Sequence, residues 1–132
     1  MKFLLDTDTC IYALKQNAAV LQRLLAESPQ DVAVSVITEA ELLTGAAKSS
    51  SAARTLQRVE NFLRPLAILE FTSTDAVSYA QIRARLERAG TPIGPLDTLI
   101  AAQAVARKLV VVSNNQREFA RVRGLQVQKW AV

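Results

Sequence analysis

Apolar residues in this chain come in two rhythms. Short, nearly continuous runs cover Lys2–Leu5, Val32–Val36, Leu66–Phe71, Leu109–Val112 and Leu125–Val127, and each is short enough and β-branched enough to predict a buried strand. Between them, apolar residues recur every third or fourth position, which predicts helices. The first helix opens over Cys10–Leu14, after a capping turn at Asp6-Thr7-Asp8-Thr9. A second runs over Ala18–Glu27 on Val20, Leu24 and Leu25, and Ser28-Pro29-Gln30-Asp31 ends it. Thr38 predicts the cap of a third that stops at Gly45. Ala53, Leu56, Val59 and Leu63 mark a fourth, closed by Arg64-Pro65. A long helix is expected over Thr74–Ala89 with Tyr79, Ile82 and Leu86 on one face, another from Gly94-Pro95 through Ala106, and a short one over Gln116–Arg121. Short strands separated by longer helices imply parallel pairing by crossover, hence an α/β protein with a short central parallel sheet covered on both faces. All 132 residues form one expected domain, without internal repeats.

In such a sheet the ligand site lies beyond the carboxyl ends of the strands, and the carboxylates gather there. Asp6 follows the first strand directly, Glu41 and Glu118 follow the second and fourth apolar runs, and Asp97 opens the helix before the fourth. Each also has a purely structural reading, because helix N-termini favour acidic groups: Thr38-Glu39-Ala40-Glu41 matches a capping box, Asp97 falls in a first turn after Pro95, and Glu118 lies three residues past Asn115. Asp8 is read as a cap. What moves the four beyond capping is their coincidence at one edge, since converging carboxylates repel unless a cation or shared protons compensate.

The chain has no histidine. That excludes a Ser-His-Asp triad and imidazole-driven cleavage of RNA, and leaves a hard divalent cation held by carboxylates as the source of a nucleophile. The formal charge is +4, and it is uneven: residues 81–132 carry nine basic side chains against three acidic ones, two of which are Asp97 and Glu118. Arg83, Arg85, Arg88, Arg107, Lys108, Arg117, Arg121, Arg123 and Lys129 form this cationic part, which admits a phosphate-bearing ligand without requiring one. MKFLL is too short for a leader's apolar core and no long uncharged apolar stretch follows, so a cytoplasmic protein with no membrane segment is expected. The single cysteine, Cys10, is expected to pack in the core.

Four blocks, LLDTDTCIYAL at Leu4–Leu14, SVITEAELLTGA at Ser35–Ala46, GTPIGPLDTLIAAQA at Gly90–Ala104 and VVSNNQREF at Val111–Phe119, together strongly resemble the PIN-domain toxins of the VapC type, and the resemblance runs nearly end to end. It implies a compact three-layer α/β/α fold and a Mg²⁺- or Mn²⁺-dependent endoribonuclease. It also implies a toxin that is usually a homodimer and is restrained by a cognate VapB-type antitoxin. Carried over by motif, Asp6, Glu41 and Asp97 match the family's acidic positions, with Asp6 and Asp97 on the metal and Glu41 orienting a second ion or a water. The fourth block departs from the common pattern: Asn115 stands two residues after Ser113, where relatives carry aspartate. Both Asn115 and Glu118 are therefore candidates for the fourth position. The hydroxyls of Thr7 and Ser35 are candidates for positioning water or phosphate. Water as nucleophile implies a 5′-phosphate and a 3′-hydroxyl at the cut, and structured RNA, tRNA in particular, is the expected substrate. Two rival readings are an aspartyl-nucleophile phosphatase of the haloacid-dehalogenase type, built on Asp6-Thr7-Asp8-Thr9, and a catalytically weak PIN scaffold that binds RNA or a protein partner. The first lacks the late acidic pair it needs, because no aspartate follows Asp97.

Overall fold

The computed structural model describes residues 1–132. In chain order the elements are β1 (Phe3–Leu5), α1 (Thr7–Leu14), α2 (Ala18–Ala26), a 3₁₀ turn at Pro29–Asp31, β2 (Val32–Ser35), α3 (Val36–Lys48), α4 (Ala52–Leu63), β3 (Ala67–Leu69), α5 (Ser73–Arg88), α6 (Pro95–Arg107), β4 (Val110–Val112), α7 (Gln116–Phe119) and β5 (Val127–Gln128). The five strands form one parallel sheet in the order β3-β2-β1-β4-β5, with Leu5 in register with both Val34 and Val112. The chain winds outward from β1 through β2 to β3, then crosses to the other side for β4 and β5. The order therefore reverses between β1 and β4, which puts a topological switch point at the carboxyl end of β1.

Strand pleating sorts the core into two halves. Phe3, Leu5, Val32, Val34 and Val112 point to one face, where Cys10 and Ala13 of α1, Val20 of α2, Leu42 of α3 and Val59 and Leu63 of α4 cover them. Leu4, Ala33 and Val111 point to the other, under Leu86 of α5, Ile100, Ala101 and Ala104 of α6, and Phe119 of α7. Both faces of the central strands β1 and β2 are buried, which is why they read as continuous apolar runs rather than alternating ones. The result is the three-layer α/β/α arrangement expected from the sequence. Cys10 is buried, and no helix is long and apolar enough to cross a membrane.

Several boundaries differ from the sequence reading. Helix α3 begins at Val36, not after Thr38, because Ser35 caps it by accepting the Ile37 amide at 3.0 Å. The Thr38–Glu41 capping box is therefore not formed, and Thr38 is buried inside the first turn. Nor does Gly45 end α3. The helix continues to Lys48 because Ala46 must pack into the core, and that burial offsets the roughly 1 kcal/mol that a helical glycine costs relative to alanine. Asp6 itself caps α1, so the helix starts at Thr7 rather than Cys10. The last helix stops at Phe119, and the final strand is Val127–Gln128 rather than Leu125–Val127.

Candidate active site

Asp6 is the pivot of the site. It is the residue at which β1 stops, its amide donates to the Val112 carbonyl of β4 at 3.1 Å, and its carboxylate accepts the Thr9 amide at 2.8 Å. The Thr9 hydroxyl donates to the same Val112 carbonyl at 2.9 Å. The switch point is thus sealed by backbone, and the Asp6 side chain is only 2% exposed. Burial pushes its carboxyl above the ordinary value, while the Ser113 hydroxyl and the Thr9 amide act in the opposite direction by favouring the ionised form.

Asp97 enters from the first turn of α6, where Pro95 at the helix start needs no amide partner. Burial pushes its carboxyl up to about 6, and the negative charges of Asp6 and Glu118 add to that rise. Asn115 opposes it by donating its side-chain amide to Asp97 Oδ2 at 3.4 Å. The same amide donates to Glu118, so Asn115 bridges the two carboxylates. Glu41 comes from α3, and its Oε1 accepts the Thr7 hydroxyl at 2.6 Å.

Asp6, Glu41 and Asp97 line one open cleft with Thr7, Asp8, Ile11, Gly94, Pro95 and Leu96. Asn115 and Glu118 stand behind Asp97 rather than in the cleft wall. Ser35 is fully buried as the cap of α3 and offers no hydroxyl to the cleft, unlike Thr7. Asp8, expected to be a cap, lies exposed in the first turn of α1 while Asp6 does the capping. Sequence reasoning missed two contributions, the hold of Thr7 on Glu41 and the Asn115 bridge. The only sequence signal for either was a hydroxyl or amide next to each acidic block.

The donor set consists of hard carboxylate oxygens, with the Asp97 carboxyl pushed up to about 6 by burial and by the charges of Asp6 and Glu118. A divalent cation suits such a set, because it replaces the protons that would otherwise relieve the repulsion. No three side chains form a preassembled metal cage. Magnesium does not need one, since it keeps several waters and binds through one or two carboxylates.

The comparisons with known proteins agree with this geometry. The PIN-domain family model matches residues 3–125. The chain is 42% identical over 98% of both sequences to the tRNA(fMet)-specific endonuclease VapC of Salmonella typhimurium, and 38% identical over 99% of both to the protein of the same name from Shigella flexneri. Among solved structures it superposes on the DNA-bound VapBC of Salmonella typhimurium with a TM-score of 0.95 at 42% identity, covering 99% of both chains. It superposes on VapBC2 of Rickettsia felis, bound to a promoter DNA fragment, with a TM-score of 0.93 at 32% identity over 98% of this chain and 99% of that one. A match of this extent sets aside the phosphatase reading of Asp6-Thr7-Asp8-Thr9. The chain belongs to the PIN-domain family, among its VapC ribonucleases.

Proposed function

We propose that this protein is the toxin of a toxin–antitoxin pair, an endoribonuclease that cuts a structured RNA at the Asp6–Glu41–Asp97 cleft with the help of Mg²⁺ or Mn²⁺. The observation that carries the reading is the meeting of Asp6, Glu41 and Asp97 in one cleft at the β1–β4 switch point, where burial and the charges of Asp6 and Glu118 push Asp97 upward. Three helices and a strand end converge there to build a concentrated anionic site in a chain of net positive charge.

Asp6 and Asp97 would hold the cation, with Glu41 beside it. Once bound, a divalent ion supplies Lewis acidity at the phosphodiester and lowers the pKa of the attacking water. The protein's own residues do the rest. Thr7 holds one Glu41 oxygen by a charge-assisted hydrogen bond, which leaves the other to orient a water toward phosphorus. Asn115 keeps Asp97 and Glu118 from swinging apart. The Thr9 and Ser113 contacts hold the buried Asp6 carboxylate in place. Attack by water leaves a 5′-phosphate and a 3′-hydroxyl.

The relatives named for cleavage of tRNA(fMet) support tRNA as the substrate, and the VapBC complexes support a small VapB-type antitoxin as the restraining partner. We place the toxin in the cytoplasm, where tRNA resides, and read it as a homodimer. Incubating the antitoxin-free protein with total RNA, with and without Mg²⁺ or Mn²⁺, and mapping the new ends tests substrate, cofactor and chemistry together. Cleavage that is unaffected by chelation, or ends bearing a 2′,3′-cyclic phosphate, would overturn the mechanism.

A further inference from the structure

A second cationic feature lies away from the carboxylates. Arg85 on α5 and Arg121 and Arg123, in the turn after α7, surround a cavity of about 190 Å³ that is also lined by Ser78, Gln81, Ile82, Leu86, Val105 and Val122. No acidic side chain lines it. None of the three arginines belongs to any of the four ion pairs in the structure. Arg121 spends one donor on the Pro92 carbonyl at 3.0 Å, while the side chains of Arg85 and Arg123 make no hydrogen bond within the chain. Two other arginines of this half are engaged: Arg83 on α5 binds Glu87 and Tyr79, and Arg107 on α6 binds Asp75.

Three guanidinium groups from two separate segments line one cavity with no acidic side chain among them, and an anion bound there would meet positive charge that no other residue of the cavity offsets. Planar forked donors match the oxygens of a phosphate better than those of a single point acceptor. The floor is apolar, built from Ile82, Leu86, Val105 and Val122, and so suits the ribose or base attached to that phosphate rather than a free inorganic ion.

The arginine cavity and the candidate active site both border the Pro92–Pro95 loop. Leu86 lines both this cavity and a neighbouring one bounded by Tyr79, Arg83, Pro92 and Pro95, and Pro95 in turn lines the carboxylate cleft. The Arg121–Pro92 bond ties the arginine cavity to the same loop. An extended polymer, unlike a small ligand, can reach from the cleft across this loop to the arginines.

We infer that Arg85, Arg121 and Arg123 form a phosphate-binding subsite for the RNA substrate, engaging a backbone phosphate away from the one that is cut. The inference rests on the ribonuclease reading. It assigns these residues to substrate affinity and length dependence, not to bond cleavage.

The test uses the full-length, antitoxin-free protein and two substrates, an intact tRNA and a short oligonucleotide carrying only the cleaved loop sequence. Arg85→Gln/Arg123→Gln is the informative variant, because it leaves the Arg121–Pro92 contact in place. With tRNA, the double variant is expected to bind about tenfold more weakly at moderate salt, and the slope of log affinity against log salt falls by about 0.7 to 0.9 for the one phosphate lost. KM for tRNA rises while kcat holds, and cleavage of the short oligonucleotide is unchanged. Wild-type affinity and slope in the double variant would overturn the subsite while leaving the nuclease reading intact. An equal loss on the short oligonucleotide would overturn it as well, since it would mean that the variant damages the active site. Retained RNA affinity with lost antitoxin binding would assign the cavity to an acidic protein segment instead. Absence of cleavage and of RNA binding in the unmodified protein would overturn both readings.

Discussion

The Thr7 hydroxyl lies 2.6 Å from Glu41 Oε1 and 3.0 Å from Thr38 Oγ1, which locks the first turn of α1 to the first two turns of α3 across a separation of more than 30 residues. Glu41 is half-exposed at the cleft, and a long carboxylate there would sample several rotamers without this contact. Thr7→Val, which keeps the shape and removes the donor, is expected to lower kcat about tenfold with little change in thermal stability. Thr7→Ser should restore most of the activity. If Thr7→Val cleaves RNA at the normal rate, Glu41 does not depend on Thr7 for its position.

Asp6→Asn and Asp97→Asn remove charge while keeping shape and, for Asp6, a good helix cap. Each is expected to lower RNA cleavage at least about 100-fold and to leave a folded protein by circular dichroism. Asp8→Asn, at an exposed position in the first turn, should retain most activity. Activity retained in both Asp6 and Asp97 variants would remove the cleft from the mechanism.

The site should leave a signature in the pH dependence of stability. The Asp97 carboxyl sits at about 6 in the folded protein against an ordinary 3.8, so the native state holds its proton more tightly than the unfolded chain does. Its stabilising contribution is full below about pH 4 and is lost as pH rises through about 6. Buried Asp6, also raised, acts in the same direction. At pH 7.5 Asp97→Asn should therefore raise the melting temperature of the metal-free protein, and below pH 4 it should not. Mn²⁺ should raise the melting temperature of the unmodified protein at pH 7.5 and have little effect at pH 5, where protons compete for the same oxygens. A metal effect that is independent of pH would argue against binding at these carboxylates.

Asn115 and Glu118 are separable by experiment. Asn115→Ala removes the bridge and returns Asp97 and Glu118 to direct repulsion, so the activity profile against pH should shift toward higher pH. Glu118→Gln removes one of the charges that raise Asp97, so the profile should shift toward lower pH. Shifts in the same direction would show that the two residues do not act through Asp97.

Asp75 provides a control outside the site. Burial would raise its carboxyl, but the Thr72 amide and the Arg107 guanidinium at 2.9 Å outweigh that and hold it below the ordinary value. Its contribution is present above about pH 4 and lost as pH falls further, a window opposite in sign to that of Asp97. Asp75→Ala breaks both the capping box of α5 and this pair, and should cost about 2–3 kcal/mol in denaturant unfolding. The kcat of the folded fraction should not change.

The sequence by itself determined the parts of this protein that are written along the backbone. Runs such as Phe3–Leu5 and Val110–Val112 are apolar on both faces, so a doubly covered parallel sheet follows, and with it an edge at which Asp6 must emerge. The four motif blocks carried the family. Tertiary structure decided what depends on residues far apart in the chain. Thr38 and Glu41 have a capping-box spacing, yet Ser35 caps the helix first, and Thr7 recruits both residues from 31 and 34 positions away. Gly45 is a stop signal in local terms, and the core contact of Ala46 overrides it. The spacing from Ser113 makes Asn115 a candidate for the fourth position, and only the fold sets it between Asp97 and Glu118, where it donates to both. Arg107 meets Asp75, and Arg85, Arg121 and Arg123 come to line one cavity, only once α5, α6 and the turn after α7 are packed. Propensity and periodicity act through the few residues on either side, whereas hydrogen bonding, repulsion and desolvation act through space, and spatial neighbours exist only in the folded chain.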